Sequence, residues 1–175
     1  MGGKIVVVDE KDNFLREEEK SRCHEGEGML HRAFSAFIFN DKNELLIQKR
    51  SRFKVLWPMH WSNSCCSHPI KGETYEGAAE RRIREELGIS CKMRLLFKFQ
   101  YSAKYGDIGS ENELCAVLAG RCGSKIKIGP DPKEIAEFKF VDVKELKKDI
   151  EKNPDVYTPW FKMELGRVLK EMMMG

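Results

Sequence analysis

The apolar residues of this chain are divided into short runs separated by charged and polar segments, and Ala33–Phe39 is among the longest of these runs. A membrane-spanning helix needs about 20 consecutive apolar residues, so runs of this length favour strands and short helices instead. Hydrophobic residues make up 41% of the 175 residues, which is enough to build a core. We therefore expect a soluble protein with a single domain over residues 1–175.

Several of these runs predict strands, because they are short, rich in β-branched or aromatic residues, and bounded by turn residues. The predicted strands are Ile5–Val8, Ala33–Phe39, Leu45–Lys49, Leu95–Tyr101, Glu113–Ala119 and Glu137–Val141. The turn residues at 40–43 would fold the second and third of these into a hairpin. Two segments predict loops, Ser21–Gly28 and the long stretch Ser51–Ser67, and long loops often have a function.

A helix is predicted over Tyr75–Leu87, because its apolar residues recur every four positions. Thr74 can cap the start of this helix and Gly88 can end it. A shorter helix is predicted over Val143–Ile150, and Thr158-Pro159 would open a last helix with proline at its first position. The residues that this last helix is predicted to bury are Trp160, Met163, Val168, Leu169 and Met172. Together these elements predict a mixed sheet with helices on its faces.

The charge balance gives little reason to expect a nucleic-acid partner, since 31 basic residues face 28 acidic ones and the net charge is +3. A local cluster of positive charge could still bind a small anion. The six cysteines contain no CxxC pair, which argues against a structural zinc knuckle. We expect their thiols to stay reduced in the cytoplasm, in a monomeric protein with no membrane partner.

The residues best suited to bind a metal are the histidines and two nearby glutamates. The chain has only four histidines, His24, His31, His60 and His68, and three of them lie in or beside predicted loops. Glu111 and Glu113 are two positions apart, so on a strand both would point to the same face. Imidazole and carboxylate together suit Zn²⁺ or Mn²⁺, and an octahedral shell would favour Mn²⁺ or Mg²⁺. The alternative is a pair of solvated acids on an edge strand.

Three further residues have chemistry that a site could use. Arg82 and Glu86 are four positions apart on the predicted helix, where an arginine could bind phosphate and a glutamate could hold Mg²⁺. They could equally form an ordinary salt-bridged helix face. Cys66 lies two residues before His68, which makes it a candidate for proton transfer, and we expect nearby cations to lower its pKa. The alternative for any single cysteine is an inert buried thiol.

These residues together resemble type 1 isopentenyl-diphosphate isomerase, a branch of the Nudix superfamily. The resemblance covers nearly the whole chain, and its most specific parts are Asn-Ser-x-Cys-x-His-Pro at 63–69 and Glu-Asn-Glu at 111–113. Other matching segments are Leu30–Ser35, Gln48–Arg50, Trp57-Pro58, Trp61-Ser62, Arg81-Arg82, Glu86–Gly88 and Thr158–Trp160. The resemblance implies an α+β fold, a Nudix-type α/β/α sandwich with a mixed β-sheet and flanking helices.

The resemblance also implies a role for individual residues. His24, His31, His68, Glu111 and Glu113 match the positions that bind one divalent metal, which could be Mn²⁺, Mg²⁺ or Zn²⁺. Cys66 and Glu113 match the catalytic pair, and Tyr101 resembles the tyrosine that supports proton transfer. Glu86 matches the carboxylate that holds Mg²⁺ against the substrate diphosphate. Arg50, Lys54 and Arg82 match the residues that bind this diphosphate, with Lys20 beside them, and Trp160 resembles the aromatic residue that faces a carbocation.

Two departures from the family pattern bear on the activity. The general Nudix box G-x5-E-x7-R-E-U-x-E-E-x-G-U is matched at Glu73, Arg81, Glu85 and Glu86, but Ser67 replaces its first glycine and Arg82 replaces an acid. The missing acid weakens the case for the runner-up function, a Nudix hydrolase that cleaves a diphosphate. His60 stands where relatives carry a small or apolar residue, and we expect it on the loop surface. A third hypothesis is that the protein is a metal-stabilised binding module without catalytic activity.

Overall fold

The computed structural model describes residues 3–174, so the ends of the single domain expected over 1–175 lie outside the described residues. The strands are β1 (Lys4–Val8), β2 (Phe14–Glu19), β3 (His31–Phe39), β4 (Leu45–Arg50), β5 (Trp61–Ser62), β6 (Cys65–Ser67), β7 (Met93–Tyr105), β8 (Gly109–Arg121) and β9 (Ile135–Val141). The helices are α1 (Lys20–Cys23), α2 (Tyr75–Leu87), α3 (Val143–Lys152) and α4 (Pro159–Met174), with a 3₁₀ turn at Pro154–Val156. None of these helices is long and apolar enough to cross a membrane.

Strand β3 is the centre of a mixed nine-stranded sheet. It pairs in parallel with β8 along its whole length, and in antiparallel fashion with β1, β6 and β4 on its other edge. Strand β7 extends the sheet beyond β8, and β9 extends it beyond β4. The expected hairpin of β3 and β4 is confirmed, but these two strands pair over only two positions, because β6 occupies the rest of that edge.

The two faces of the sheet are covered by different helices, which makes the fold the predicted α/β/α sandwich. Alternate residues of β3 point to opposite faces. Phe34, Ala36 and Ile38 pack with Ile83 and other apolar residues of α2 in one core cluster. Phe37 and Phe39 pack in a second cluster with buried side chains of α3 and α4.

Helix α2 has the predicted bounds, and its local sequence explains them. The hydroxyl of Thr74 accepts a hydrogen bond from the backbone N–H of Gly77 at 3.1 Å, which caps the first turn. Gly88 ends the helix with φ of +68°, a left-handed conformation that favours glycine. Both signals are local, so the sequence alone is sufficient to place them.

Several predicted boundaries were wrong. Ser21–Gly28 is not all loop, because its first three residues belong to α1, and β5 and β6 lie within the stretch expected to be irregular. Strand β2 was not predicted at all. Its residues are nearly all exposed and it pairs only with β1 at the sheet edge, so its sequence shows no alternation of apolar and polar residues.

The buried face of α4 also differs from the prediction. Trp160 and Val168 are buried as expected, but Met163 is 53% exposed. Phe161 and Leu165 are buried instead, at positions four apart on the face that meets the sheet. Met163 lies two residues from Phe161, which on a helix places it on the opposite side.

Phe161 and Met163 therefore make a matched pair for testing the packing of α4. We expect Phe161→Ala to lower the free energy of unfolding by about 3–5 kcal/mol, because a fully buried ring leaves a cavity. Met163→Ala should change it by less than about 0.5 kcal/mol. Urea denaturation followed by circular dichroism measures both, and equal losses in the two variants would contradict this packing.

Candidate active site and metal centre

A cavity of about 580 Å³ opens at the edge of the sheet where β3, β6 and β8 meet, and it is closed on other sides by the loop after β4 and by α4. Nearly all of the residues singled out from the sequence line it. They are Lys20, His24, Arg50, Lys54, Cys66, His68, Arg82, Tyr101, Glu111, Glu113 and Trp160. The exceptions are His31 and Glu86, which lie behind the cavity wall. The cavity therefore contains candidates for acid–base chemistry, for anion binding and for metal binding.

The three histidines and two glutamates expected to bind a metal converge on one point. Each offers one ligand atom, and these atoms all lie within 4.8 Å of one another. Strand pairing explains part of this geometry, because the parallel register of β3 and β8 places His31 beside Glu113. His24 lies just after α1, and His68 directly follows β6.

Hydrogen bonds behind the rings orient two of the imidazoles. The Nδ1 atom of His24 lies 2.6 Å from the carbonyl oxygen of Lys20, and that of His31 lies 2.7 Å from the carbonyl oxygen of Met29. A carbonyl can only accept, so Nδ1 carries the proton in both rings and Nε2 is left with its lone pair when the ring is neutral. Carbonyl partners of this kind are typical of histidines that bind metals through Nε2.

The Nε2 atoms face carboxylate oxygens that also carry lone pairs. His24 Nε2 is 2.9 Å from Glu111 Oε2, and Glu113 Oε1 is 3.6 Å from His31 Nε2 and 3.4 Å from His68 Nε2. The Nε2 atoms of His31 and His68 are buried without a hydrogen-bond partner. Facing lone pairs on buried nitrogen and oxygen atoms cost free energy unless a positive charge lies between them. These residues therefore fit a divalent cation.

Burial and nearby charges shift the pKa values of these groups, and the shifts of His68 and Glu113 suit metal binding. Burial lowers the pKa of His68 well below its usual value, and the charge of Lys20 adds to the effect, so the ring is neutral and can bind a metal. Burial also lowers the pKa of His24, but the hydrogen bond and charge of Glu111 raise it by more. Burial raises the pKa of Glu113, and contacts with His31 and Tyr101 reverse this, so the net pKa is lowered.

Tyr101 and Glu113 are partners across the antiparallel pair β7 and β8. The Tyr101 hydroxyl donates a hydrogen bond of 2.6 Å to Glu113 Oε2, the oxygen that does not face His31 and His68. One carboxylate thus directs one oxygen at the metal cluster and the other at a phenol in the cavity wall. Tyr101 therefore lies in the cavity beside Glu113, and its support of proton transfer stays a prediction.

The environment of Cys66 corrects one expectation from the sequence. Its thiol lines the cavity and donates a hydrogen bond of 2.7 Å to Asn63 Oδ1, and it lies 3.8 Å from the hydroxyl of Ser35. Burial, helped by the charge of Glu164, raises the pKa of the Cys66 thiol to about 12. The expected lowering of the pKa by cations was wrong, because burial and the charge of Glu164 outweigh the lowering by the charge of Arg50 and the hydrogen bond with Ser35. Ser35 and Asn63 belong to segments that match the family, but the sequence analysis gave neither residue a role.

Trp160 forms an aromatic wall of the cavity and is only 2% exposed. Its indole N–H donates to the hydroxyl of Ser62 at 3.1 Å, and Trp57 meets it edge-on with ring centroids 5.2 Å apart. The guanidinium of Arg50 lies 5.3 Å from the Trp160 ring centroid. Arg50 also donates to the carbonyl oxygens of Leu56 and Trp57, so it holds the loop after β4 beside the tryptophan.

Acidic side chains accompany the other basic residues of the cavity. Arg82 donates to Glu86 at 2.6 Å and to Glu85 at 2.7 Å, and Lys54 forms an ion pair with Glu134. Glu86 is 1% exposed and lies behind Arg82, so its binding of Mg²⁺ stays a prediction. Glu134 lines the cavity, and no sequence motif pointed to it. His60 does not line the cavity, but it is half-buried with its ring against Tyr105, so the expected place on the loop surface is met only in part.

Comparison with known proteins identifies the family. The model of the NUDIX domain matches residues 29–161 of the chain. Isopentenyl-diphosphate Delta-isomerase 1 of Photorhabdus laumondii is 43% identical to the chain over 168 residues, which are 95% of this chain and 94% of that protein. The chain belongs to the isopentenyl-diphosphate Delta-isomerase family of Nudix proteins. The mouse protein of the same name is 37% identical, over 90% of this chain and 78% of its own length.

Solved structures confirm the Nudix fold. The MutT protein of Methanosarcina mazei matches with a TM-score of 0.65 and 17% identity, over 81% of this chain and 94% of that one. The dihydroneopterin triphosphate pyrophosphohydrolase of E. coli matches with a TM-score of 0.58 and 13% identity, over 77% of this chain and 92% of that one. At these identities the likeness concerns the fold alone, so the side chains of this isomerase-family member have to indicate its reaction.

The position of Gly109 gives a test of the metal centre. A Cβ at this residue would collide with the carbonyl oxygen of His24, which also accepts a hydrogen bond from the N–H of Ser110. We expect Gly109→Ala to displace His24 and weaken the binding of Mn²⁺ by at least about tenfold. Gly123→Ala, where a Cβ meets nothing within 4 Å, should bind Mn²⁺ normally. Titration followed by paramagnetic resonance measures both affinities, and normal binding by folded Gly109→Ala would exclude this arrangement.

Proposed function

We propose that this protein isomerises isopentenyl diphosphate to dimethylallyl diphosphate. The observation that carries the proposal is that a thiol, Cys66, and a carboxylate, Glu113, line one cavity together with a buried tryptophan and several basic residues. The names of relatives at 43% and 37% identity support the same reaction. The substrate is therefore a small molecule with a short alkene at one end and a diphosphate at the other.

The reaction needs a proton donor and a proton acceptor. A proton is added at one carbon of an unactivated alkene and another is removed from a different carbon, which requires two groups on different sides of the substrate. Cys66 lies on β6 and Glu113 on β8, and these strands flank β3 on its two edges. We assign these two residues as the acid–base pair, with Tyr101 holding Glu113 in place through its hydrogen bond.

A tertiary carbocation forms between the two proton transfers, and the cavity has to stabilise it and keep water away. The π face of a tryptophan attracts a cation by about 2 kcal/mol or more when both are desolvated. We assign this role to Trp160, which is buried and fixed by its hydrogen bond to Ser62. The loop after β4, with Leu56 and Trp57 buried, covers the site and would limit capture of the cation by water.

The diphosphate end is assigned to the basic residues of the cavity, Lys20, Arg50, Lys54 and Arg82. Their contacts with the diphosphate would position the reacting carbons between the acid and the base. We further propose that Glu86 helps to bind Mg²⁺ against the diphosphate. A second divalent ion, Mn²⁺, Mg²⁺ or Zn²⁺, would be held by His24, His31, His68, Glu111 and Glu113. When bound, that ion supplies positive charge that compensates the buried carboxylates.

Two broader assignments follow from the same residues. All of the residues assigned above come from one chain, so we propose that a monomer is sufficient for activity. The described cysteines are all free, and the mechanism needs Cys66 reduced, which suits the cytoplasm, where thiols are kept reduced.

A product assay tests the proposed reaction. Metal-replete protein is incubated with isopentenyl diphosphate, and the allylic product is followed by proton resonance while released phosphate is measured in parallel. We expect dimethylallyl diphosphate without phosphate release. Phosphate or a monophosphate product would instead support a Nudix hydrolase, and no turnover would support a binding module.

The adjacent cysteines provide a matched test of the catalytic assignment. We expect Cys66→Ala to lower kcat by about 10²–10⁴-fold, because one proton-transfer group is lost, while fold and metal content stay normal. Cys65→Ala should keep activity within a few fold, since that thiol is buried in the core cluster beneath α2 and does not line the cavity. Full activity of the Cys66→Ala variant in the same assay would refute the assignment.

A further inference from the structure

Glu134 lies between two of the basic residues assigned to the diphosphate. Its Oε2 atom contacts Lys54 Nζ, and its Oε1 atom is 3.2 Å from Arg82 Nη2. All three side chains line the cavity. A carboxylate therefore occupies the space between Lys54 and Arg82, which are two of the cations assigned to the diphosphate.

Backbone contacts hold the segment that carries this carboxylate. The N–H of Ser51 donates to the carbonyl oxygen of Glu134 at 3.0 Å, and the Ser51 hydroxyl donates to the carbonyl oxygen of Lys133. The N–H of Glu134 in turn donates to the carbonyl oxygen of Asp131 at 3.0 Å. The segment that carries Glu134 is thus attached to the start of the loop that carries Lys54.

The hydrogen-bond donors of Arg82 are almost all engaged by carboxylates. Its Nε and Nη2 atoms donate to Glu86, its Nη1 atom donates to Glu85, and its Nη2 atom also donates to Glu134. Glu86 is buried behind the wall, and Glu85 is on the exposed side of α2. Of these three carboxylates, Glu134 is the one that lines the cavity. An anion that enters the cavity can therefore contact the guanidinium of Arg82 most directly by replacing Glu134.

We propose that Glu134 sets the affinity of the cavity for diphosphates by acting as an internal anion that the diphosphate displaces from Lys54 and Arg82. This inference rests on the proposed function, because it assumes that these cations bind the substrate diphosphate. A diphosphate carries more negative charge than one carboxylate, so it can compete successfully for both cations. When the product leaves, Glu134 returns to them, which lowers the free-energy cost of release.

The charge state of Glu134 agrees with this role. Burial raises its pKa, but the nearby charges and hydrogen bonds of Lys54 and Arg82 lower it by more, so the side chain is an anion at neutral pH. A neutral side chain of the same shape would remove this negative charge from between Lys54 and Arg82. Glu134→Gln is therefore the direct test, because it keeps the size of the side chain and removes its charge.

Direct binding of inorganic pyrophosphate separates this inference from catalysis. We expect the Glu134→Gln variant of the full chain to bind pyrophosphate at least about tenfold more tightly than wild type in calorimetric titrations. The KM for isopentenyl diphosphate should fall in parallel, without a rise in kcat. Damage to the fold would weaken binding, so tighter binding is a result that a merely structural role does not produce.

Glu137→Gln is the matched control, since it removes the same charge three positions later in the chain, on β9. Glu137 pairs with Lys49 at 3.0 Å, its side chain is 56% exposed, and it does not line the cavity. We expect this variant to change the pyrophosphate affinity by less than about twofold, because exposed charges are screened by salt. Equal tightening in both variants would indicate a general effect of net charge and would overturn the inference.

The remaining outcomes distinguish the two proposals. Unchanged or weaker binding by Glu134→Gln, beside normal binding by wild type, overturns the role of Glu134 and leaves the proposed isomerisation intact. Failure of wild-type protein to bind pyrophosphate overturns both the inference and the assignment of the basic residues. If Glu134→Gln lowers stability in thermal unfolding, Glu134→Ala removes the same charge, and we expect the same tightening from it.

Discussion

The parallel pairing of β3 with β8 is the constraint on which the rest of this site depends. It runs over nine consecutive register pairs, from His31 beside Glu113 to Phe39 beside Arg121. The pairing fixes one imidazole next to one carboxylate at the open end of the sheet. At the other edge of β3, the pairing of Ser35 with Cys66 fixes the thiol. The same strand thus orients the candidate metal ligands and the proposed proton-transfer pair, while its apolar residues join the cores on both faces of the sheet.

Burial shifts the pKa values of the groups in this site, and it also carries a free-energy cost. It lowers the pKa of His68 and raises that of Cys66, so the first stays neutral and the second stays protonated. Lone pairs of imidazole and carboxylate then face one another in a medium of low polarity. A divalent cation would remove that conflict, so the candidate metal ligands and the proposed acid–base residues belong to one physical arrangement.

The basic residues of the cavity are stabilised in a different way, by ion pairs with carboxylates. Two of its cations are already paired with carboxylates, because Arg82 contacts Glu85, Glu86 and Glu134, and Lys54 contacts Glu134. Such pairs hold long side chains in place and reduce the cost of keeping like charges together. They also mean that diphosphate affinity is a difference between two sets of ionic contacts, which a count of basic residues in the sequence does not reveal.

Local signals and specific motifs could be recognised without a structure. Thr74 and Gly88 indicated the bounds of α2, and the motifs around Cys66 and Glu113 indicated the family and most of the candidate residues that line the cavity. Other features became visible only in the folded chain. The exposed edge strand β2, the outward position of Met163, the high pKa of Cys66 and the place of Glu134 all depend on which distant segments pack together. Local sequence sets backbone preferences, whereas burial and charge pairing join residues as far apart as Lys54 and Glu134, and those act only once the chain has folded.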